Sequence, residues 1–197
     1  MPVWFNLFVG ISSYTYSGVL YRYGGQSYSL GGNDAWGRGR FHPYGVRVGF
    51  RNGTLIGMDY RSGEVARAWR TVGGIDVDDG NRMWALDLLV GRRWRFPMNP
   101  YFVAHLSVSM ALRGSVFTDD PDFPSDTEET TMGYGAVVKG LGGIIYTPKP
   151  HGGWGIGANL ILDLVPFTLY RGRDFVWTPL MGQALGGSLS VVWEKLP

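Results

Sequence analysis

The stretch Tyr101–Leu112 alternates without a break. Phe102, Ala104, Leu106, Val108, Met110 and Leu112 are apolar, while the positions between them include His105, Ser107 and Ser109, with Arg113 continuing the set. Successive residues of a strand point to opposite faces, so this segment has an oily face and a wet one. The pattern recurs about eight times along the 197 residues. A soluble sandwich would turn the oily faces inward. Repeated this often, with arginines and aspartates on the other face, the pattern asks for a sheet closed on itself with lipid outside.

Composition narrows the choice. Charged residues make up 17% of the chain, aromatics 15%, and 31 residues are glycine. Mean hydropathy is −0.04, and no window approaches the roughly 18 consecutive apolar residues of a membrane helix. The apolar and aromatic content is too high for a disordered chain. With no cysteine, a disulfide framework, a thiolate nucleophile and a thiolate metal site are all excluded. A formal charge of +2 is too small to argue for nucleic acid. Met1-Pro2-Val3-Trp4 lacks the basic start and apolar core of a secretory signal. The expectation is therefore a mature chain from which an export signal has been removed.

In chain order, the first strand runs from about Val3 to Ser17. It sets Val3, Phe5, Leu7, Val9 and Ile11 against Asn6, Gly10, Ser12, Tyr14 and Tyr16. The segment Tyr21–Arg40 reads as a loop rich in Gly, Ser and Tyr. The second strand, Phe41–Arg51, opposes Tyr44, Val46, Val48 and Phe50 to Gly45, Arg47, Gly49 and Arg51, and ends on Asn52-Gly53, a strong hairpin signal. From Thr54 the third strand places Ile56, Met58 and Tyr60 outward and Gly57, Asp59 and Arg61 inward. Its phase slips near Ser62-Gly63, and Val72–Arg82 reads as a second polar loop.

The fourth strand, Met83–Phe96, opposes Trp84, Leu86, Leu88, Val90 and Trp94 to Ala85, Asp87, Gly91, Arg93 and Arg95. The turn at residues 97–100 leads into the opening stretch, and Ser115–Thr130 forms an acidic third loop. The sixth strand, Thr131–Tyr146, turns Lys139 away from Tyr134, Ala136 and Val138. The seventh, Trp154–Val165, opposes Ile156, Ala158, Leu160, Leu162 and Leu164 to Gly157, Asn159 and Asp163. After a loop at Tyr170–Pro179, the eighth strand, Leu180–Glu194, directs Leu185, Leu189, Val191 and Trp193 outward and Gly186, Ser188 and Ser190 inward.

Connections sort by parity. Those near 52–53, 97–100 and 147–153 are short, and those near 21–40, 62–82, 114–130 and 170–179 are long. An all-β, eight-stranded antiparallel up-and-down transmembrane barrel needs this, with three short turns on one side and four long loops on the other. Aromatics cluster toward both ends. Trp4, Phe50, Trp94, Phe96, Tyr101, Phe102, Tyr146, Trp154 and Trp193 lie near the short turns or termini. Tyr14, Tyr16, Phe41, Tyr44, Trp84, Phe117, Tyr134, Phe167 and Tyr170 lie near the long loops. Two such bands are what a bilayer's headgroup levels select.

Over its whole length, residues 1–197, the chain resembles the small eight-stranded outer-membrane barrels of Gram-negative bacteria, the OmpA, OmpX and OmpW kind. That resemblance implies a single barrel domain in the outer membrane, in contact with the bilayer and lipopolysaccharide, with no cofactor. Such barrels usually close on a terminal aromatic residue. Here Trp193 is followed by Glu194-Lys195-Leu196-Pro197.

An eight-stranded barrel is just wide enough for its own side chains. The inward positions predict a polar network of Arg47, Asp59, Arg61, Asp87, Arg93, His105, Arg113, Lys139 and Asp163, with Arg51 and Arg95 as further inward arginines and Asn6, Ser107 and Asn159 between them. Such charges require partners, because an unpaired buried ion costs several kcal/mol, which favours a salt-bridged plug over a narrow water or ion path or an anionic ligand drawn by the excess of arginine. The expected role is structural or interactive: a rigid barrel presenting its loops, rich in Tyr and Trp, to a protein partner.

Three alternatives accompany it. His105-Leu106-Ser107 resembles part of the His-x-Ser pattern of the outer-membrane lipid A deacylases, with Val108 in place of the Asn that follows. On that reading His105 would act as base toward the Ser107 hydroxyl. Asp119, Asp120 and Asp122, in a loop with six carboxylates between Asp119 and Glu129, offer oxygen ligands to Ca²⁺, although the spacing is not that of an EF-hand. A soluble lipocalin-type carrier would use the same strands with their faces exchanged.

Overall fold

The computed structural model describes the backbone of residues 2–18, 35–71, 74–118, 130–150, 152–171 and 178–195, and side chains within 4–15, 38–64, 82–116, 118, 132–150, 153–166 and 182–195. Eight strands follow in order: β1 (Pro2–Gly18), β2 (Ala35–Phe50), β3 (Thr54–Thr71), β4 (Gly74–Pro97), β5 (Phe102–Thr118), β6 (Thr130–Tyr146), β7 (Gly152–Arg171) and β8 (Thr178–Lys195). Each pairs antiparallel with its sequence neighbours, and β8 returns to β1, closing the barrel.

The register sets the tilt. One row of paired residues runs from Trp4 through Gly49, Leu55, Gly91, Ser109, Lys139, Asp163 and Ala184 and meets β1 again at Tyr14, ten residues beyond its start. Closure with such a stagger tilts the strands by roughly 35–45° to the barrel axis. The register shifts opposite Ala136/Val138, where β7 carries the extra residue, and opposite Val65/Arg67, where β4 does, and these irregularities absorb local mismatches.

The short turns are built locally. At Arg51-Asn52-Gly53, Gly53 adopts φ +85°, a conformation that side-chain-bearing residues avoid. Its amide donates to the Phe50 carbonyl at 3.0 Å, and Asn52 Oδ1 accepts from the Thr54 amide at 3.0 Å. Between β4 and β5, Asn99 Oδ1 accepts from the amides of Tyr101 and Phe102 at 2.9 and 3.0 Å. Such side-chain caps satisfy backbone donors where the ladder stops.

The polarity is inside out relative to a soluble barrel. Leu112 and Leu160 are 73% and 71% exposed on the outer wall, while Arg47, Asp87 and Asp163 are 0% exposed within. On β7 the outward residues Trp154, Ile156, Ala158, Leu160, Leu162 and Leu164 span 11 positions, the length of a strand that crosses a bilayer. The soluble lipocalin-type reading needs the opposite arrangement and is overturned.

Two sequence expectations change. Trp4, Tyr14 and Phe41 are buried in the lumen rather than placed in an aromatic band. Trp4 and Tyr14 fill space that glycines on adjoining strands leave open, and Phe41 packs edge-on against Tyr14 with centroids 5.5 Å apart. A Cβ added at Gly49 would lie 3.0 Å from the Trp4 ring, one at Gly182 would collide with Tyr14, and Phe8 occupies the equivalent space over Gly45. The outer bands hold without them. Trp94, Phe96, Tyr101, Phe102, Tyr146 and Trp154 face out at the short-turn end, and Tyr44, Tyr60, Trp84 and Tyr134 at the other. Phe102 packs on Tyr146 with centroids 5.1 Å apart.

The second change concerns 62–82, expected as a slipped strand end and a polar loop. β3 continues to Thr71 and β4 begins at Gly74, paired from Thr71↔Gly74 downward, and the irregularity falls opposite Val65/Arg67 rather than at Ser62-Gly63. Strands that have left the hydrocarbon band need no apolar face, so their sequence reads as loop. β2 likewise starts at Ala35, within the expected first loop, and pairs there with Trp69. β7 and β8 extend to Arg171 and from Thr178.

Candidate functional site

Among the described residues the lumen holds two charged clusters. The larger lies toward the long-loop end and links β2 through β7. Arg47 Nη2 donates to Asp59 Oδ2 at 2.7 Å, with Nε to Oδ1 at 3.3 Å. Arg113 grips Asp87 with two hydrogen bonds, Nε to Oδ1 at 2.7 Å and Nη2 to Oδ2 at 2.9 Å. Arg61 pairs with Asp163 and lies 3.5 Å from Asp87. Lys139 Nζ stands among all three carboxylates, at 2.5 Å from Asp87, 2.9 Å from Asp59 and 3.6 Å from Asp163.

The order of the strands explains this arrangement. Asp59 and Asp87 are register partners on β3 and β4, Asp87 and Arg113 on β4 and β5, and Lys139 and Asp163 on β6 and β7. Two aspartates directly opposite one another would repel. The Arg113 fork on neighbouring β5 and the Lys139 ammonium, reaching across the lumen from β6, offset that. Planar guanidinium–carboxylate pairs of this kind are among the stronger hydrogen-bonded contacts. Apolar side chains seal the cluster: Phe41, Val137, Val165 and Ala184 are all buried.

The smaller cluster lies toward the short turns. Arg93 Nη1 donates to Glu194 Oε1 at 2.9 Å, and Arg95 Nε approaches the same oxygen at 2.6 Å. The Arg93 guanidinium lies 4.2 Å from the centroid of the Trp4 ring, in cation–π range. Above it, His105 Nε2 bonds Asn159 Oδ1 at 2.9 Å, and Asn159 Nδ2 donates to Ser188 and Ser190 Oγ at 3.2 Å each. Because Asn159 presents its oxygen to the ring, Nε2 carries the proton of that bond.

Every residue expected in the polar network is buried in the lumen, divided between these clusters: Arg47, Asp59, Arg61, Asp87, Arg113, Lys139 and Asp163 in one, Arg93 and His105 in the other. Arg51 is not among them. It stands exposed in the β2–β3 turn, one residue past the end of the lumen face. Arg95 is half-buried at the mouth.

His105 and Ser107 both face inward. Nε2 of the histidine is engaged by Asn159, and the Ser107 hydroxyl donates to the Leu141 carbonyl at 3.3 Å. Neither meets the outer wall where lipid would lie. Asp119, Asp120 and Asp122 lie outside the described residues. Glu194, the carboxylate of the lower cluster, escaped the sequence reading because it follows Trp193 at the strand's end. It nevertheless keeps the inward phase of Ser188 and Ser190.

No protein-family model and no curated protein matches the sequence. Solved structures do match in fold. The outer membrane protein OprG from Pseudomonas aeruginosa is 11% identical over 98% of this chain and 96% of its own, with a TM-score of 0.53. Neisserial surface protein A shares 13% identity over 94% and 96%, with a TM-score of 0.47. Ail of Yersinia pestis shares 14% over 96% and 99%, with a TM-score of 0.36. The chain is a closed eight-stranded antiparallel barrel with the fold of the small bacterial outer-membrane barrels.

Proposed function

We propose that the chain is an integral barrel of the bacterial outer membrane whose lumen is closed. Its work would be done by the long-loop end, which it holds above the lipid as an interaction surface. The observation that carries this reading is the seven-membered charge network of Arg47, Asp59, Arg61, Asp87, Arg113, Lys139 and Asp163 spanning the lumen from β2 to β7 with every side chain at most 3% exposed. An arrangement so interlocked serves rigidity better than transport. β2, β3 and β4, at 16, 18 and 24 residues, exceed the roughly 9–11 needed to cross a bilayer. They lift the end of the barrel away from the headgroups, where a protein partner or lipopolysaccharide is met.

Planar-bilayer recording tests the closed lumen, with no steady open level expected. A stable conductance in the wild-type protein would refute it. Orientation is tested in a chain without native cysteine by Arg82→Cys and Met98→Cys. A membrane-impermeant maleimide added to intact cells should label the first, at the long-loop end, and spare the second. The reverse would overturn the display role.

A further inference from the structure

The short-turn mouth of the lumen is rich in donors and poor in acceptors. Two guanidiniums, Arg93 and Arg95, share a single carboxylate oxygen, Glu194 Oε1. Arg93 Nε and Nη2 and Arg95 Nη2 are buried without a hydrogen-bond partner in the protein, as are the Trp4 indole N–H and the whole amide of Asn6. Trp4 and Asn6 are 1% and 0% exposed. They alternate on the inward face of β1, and Trp4 is the register partner of Glu194. Buried polar groups are rarely left unpaired; here five N–H donors outnumber two acceptors, Asn6 Oδ1 and Glu194 Oε2, and the two guanidiniums against one carboxylate leave a net positive charge.

We infer that these four residues, Arg93, Arg95, Trp4 and Asn6, form a binding site for a small oxyanion of the phosphate class that enters from the short-turn side. Guanidinium forks match tetrahedral oxyanions in geometry, and charge-assisted bonds to them are about twice as strong as neutral ones. Arg95, whose side chain is 27% exposed, stands at the entrance, and Arg93, at 5%, lies behind it. That depth selects a free ion. A lipid headgroup is tethered to acyl chains on the far side of the wall and does not reach Arg93. The upper cluster is a poorer candidate because its cations and carboxylates interlock and none of the seven opens to the mouth. Anion binding at this mouth does not depend on whether the lumen conducts.

The test is titration of the intact barrel, refolded in detergent micelles at neutral pH, with sodium phosphate. Resonances of the Trp4 indole N–H and the Arg93 Nε–H are followed by NMR. A saturable shift of both is expected, weakened about tenfold or more by Arg95→Gln, in line with the loss of one charge-assisted hydrogen bond. Arg92→Gln, which changes a side chain on the outer wall, should leave the affinity unchanged. Arg95→Gln spares the fold because Glu194 keeps Arg93 as a partner. A drift that never saturates, or a saturable shift indifferent to Arg95→Gln, would overturn the site. Equal saturation by chloride would overturn its oxyanion class.

Discussion

Lys139 is the residue on which the upper cluster turns. Its ammonium is the only described cation within 4 Å of Asp59, Asp87 and Asp163 together. Removing one member of a buried ionic group leaves the others uncompensated, at about 3–5 kcal/mol. Lys139→Met should therefore lower the barrel's unfolding free energy by about that much in urea titrations, whereas a loss below about 1 kcal/mol would mean that water already screens the aspartates. A second residue-scale test separates two glycines. A Cβ at Gly45 would strike the Phe8 ring and the Asp59 carboxylate, while nothing lies within 4 Å of one at Gly114. Gly45→Ala should cost about 1–3 kcal/mol by overpacking, and Gly114→Ala within about 0.5 kcal/mol of nothing. At this scale the sequence was legible wherever a charge kept the inward phase in mid-strand, as Asp59, Asp87 and Lys139 do. It misled at Trp4, Tyr14 and Phe41. An aromatic near a strand end suits a headgroup band and a lumen cap equally, and for Trp4 and Tyr14 the glycines on neighbouring strands, brought alongside by the register, distinguish them.

The elements were legible to the extent that lipid wrote them. Strands β5 and β7 alternate cleanly because one face meets hydrocarbon and the other meets the lumen. The segment at 62–82 was not legible, since beyond the bilayer neither face of a strand is constrained to be apolar, and the backbone ladder there, with pairs such as Arg67↔Asp78 and Ala68↔Val77, leaves no period-two pattern in the sequence. The cost of a misplaced charge should follow the same boundary. Leu160→Arg, at the middle of the outer face of β7, should destabilise the folded barrel in liposomes by about 2–4 kcal/mol, and Ser13→Arg, beyond Ile11 on β1, by no more than about 1 kcal/mol. Equal costs at the two positions would mean that the apolar wall does not sit where the strand pattern places it.

For the whole molecule, closure, antiparallel order and inverted polarity were all present in the sequence, because eight repeats of a two-faced strand have few other solutions. How the lumen divides its charge was not, since partners such as Arg93 and Glu194, or Arg61 and Asp163, are about a hundred residues apart in the chain. The polarity itself is the claim from which membrane insertion, the plugged lumen and the mouth site all descend. It is tested most directly by spin-label scanning of single cysteines from Ile156 to Leu164 in lipid vesicles. Collision with lipid-dissolved oxygen should be high at residues 156, 158, 160, 162 and 164 and low at 157, 159, 161 and 163. Oxygen access at the odd positions with protection at the even ones would show the leucines packed inside and contradict the account at its base.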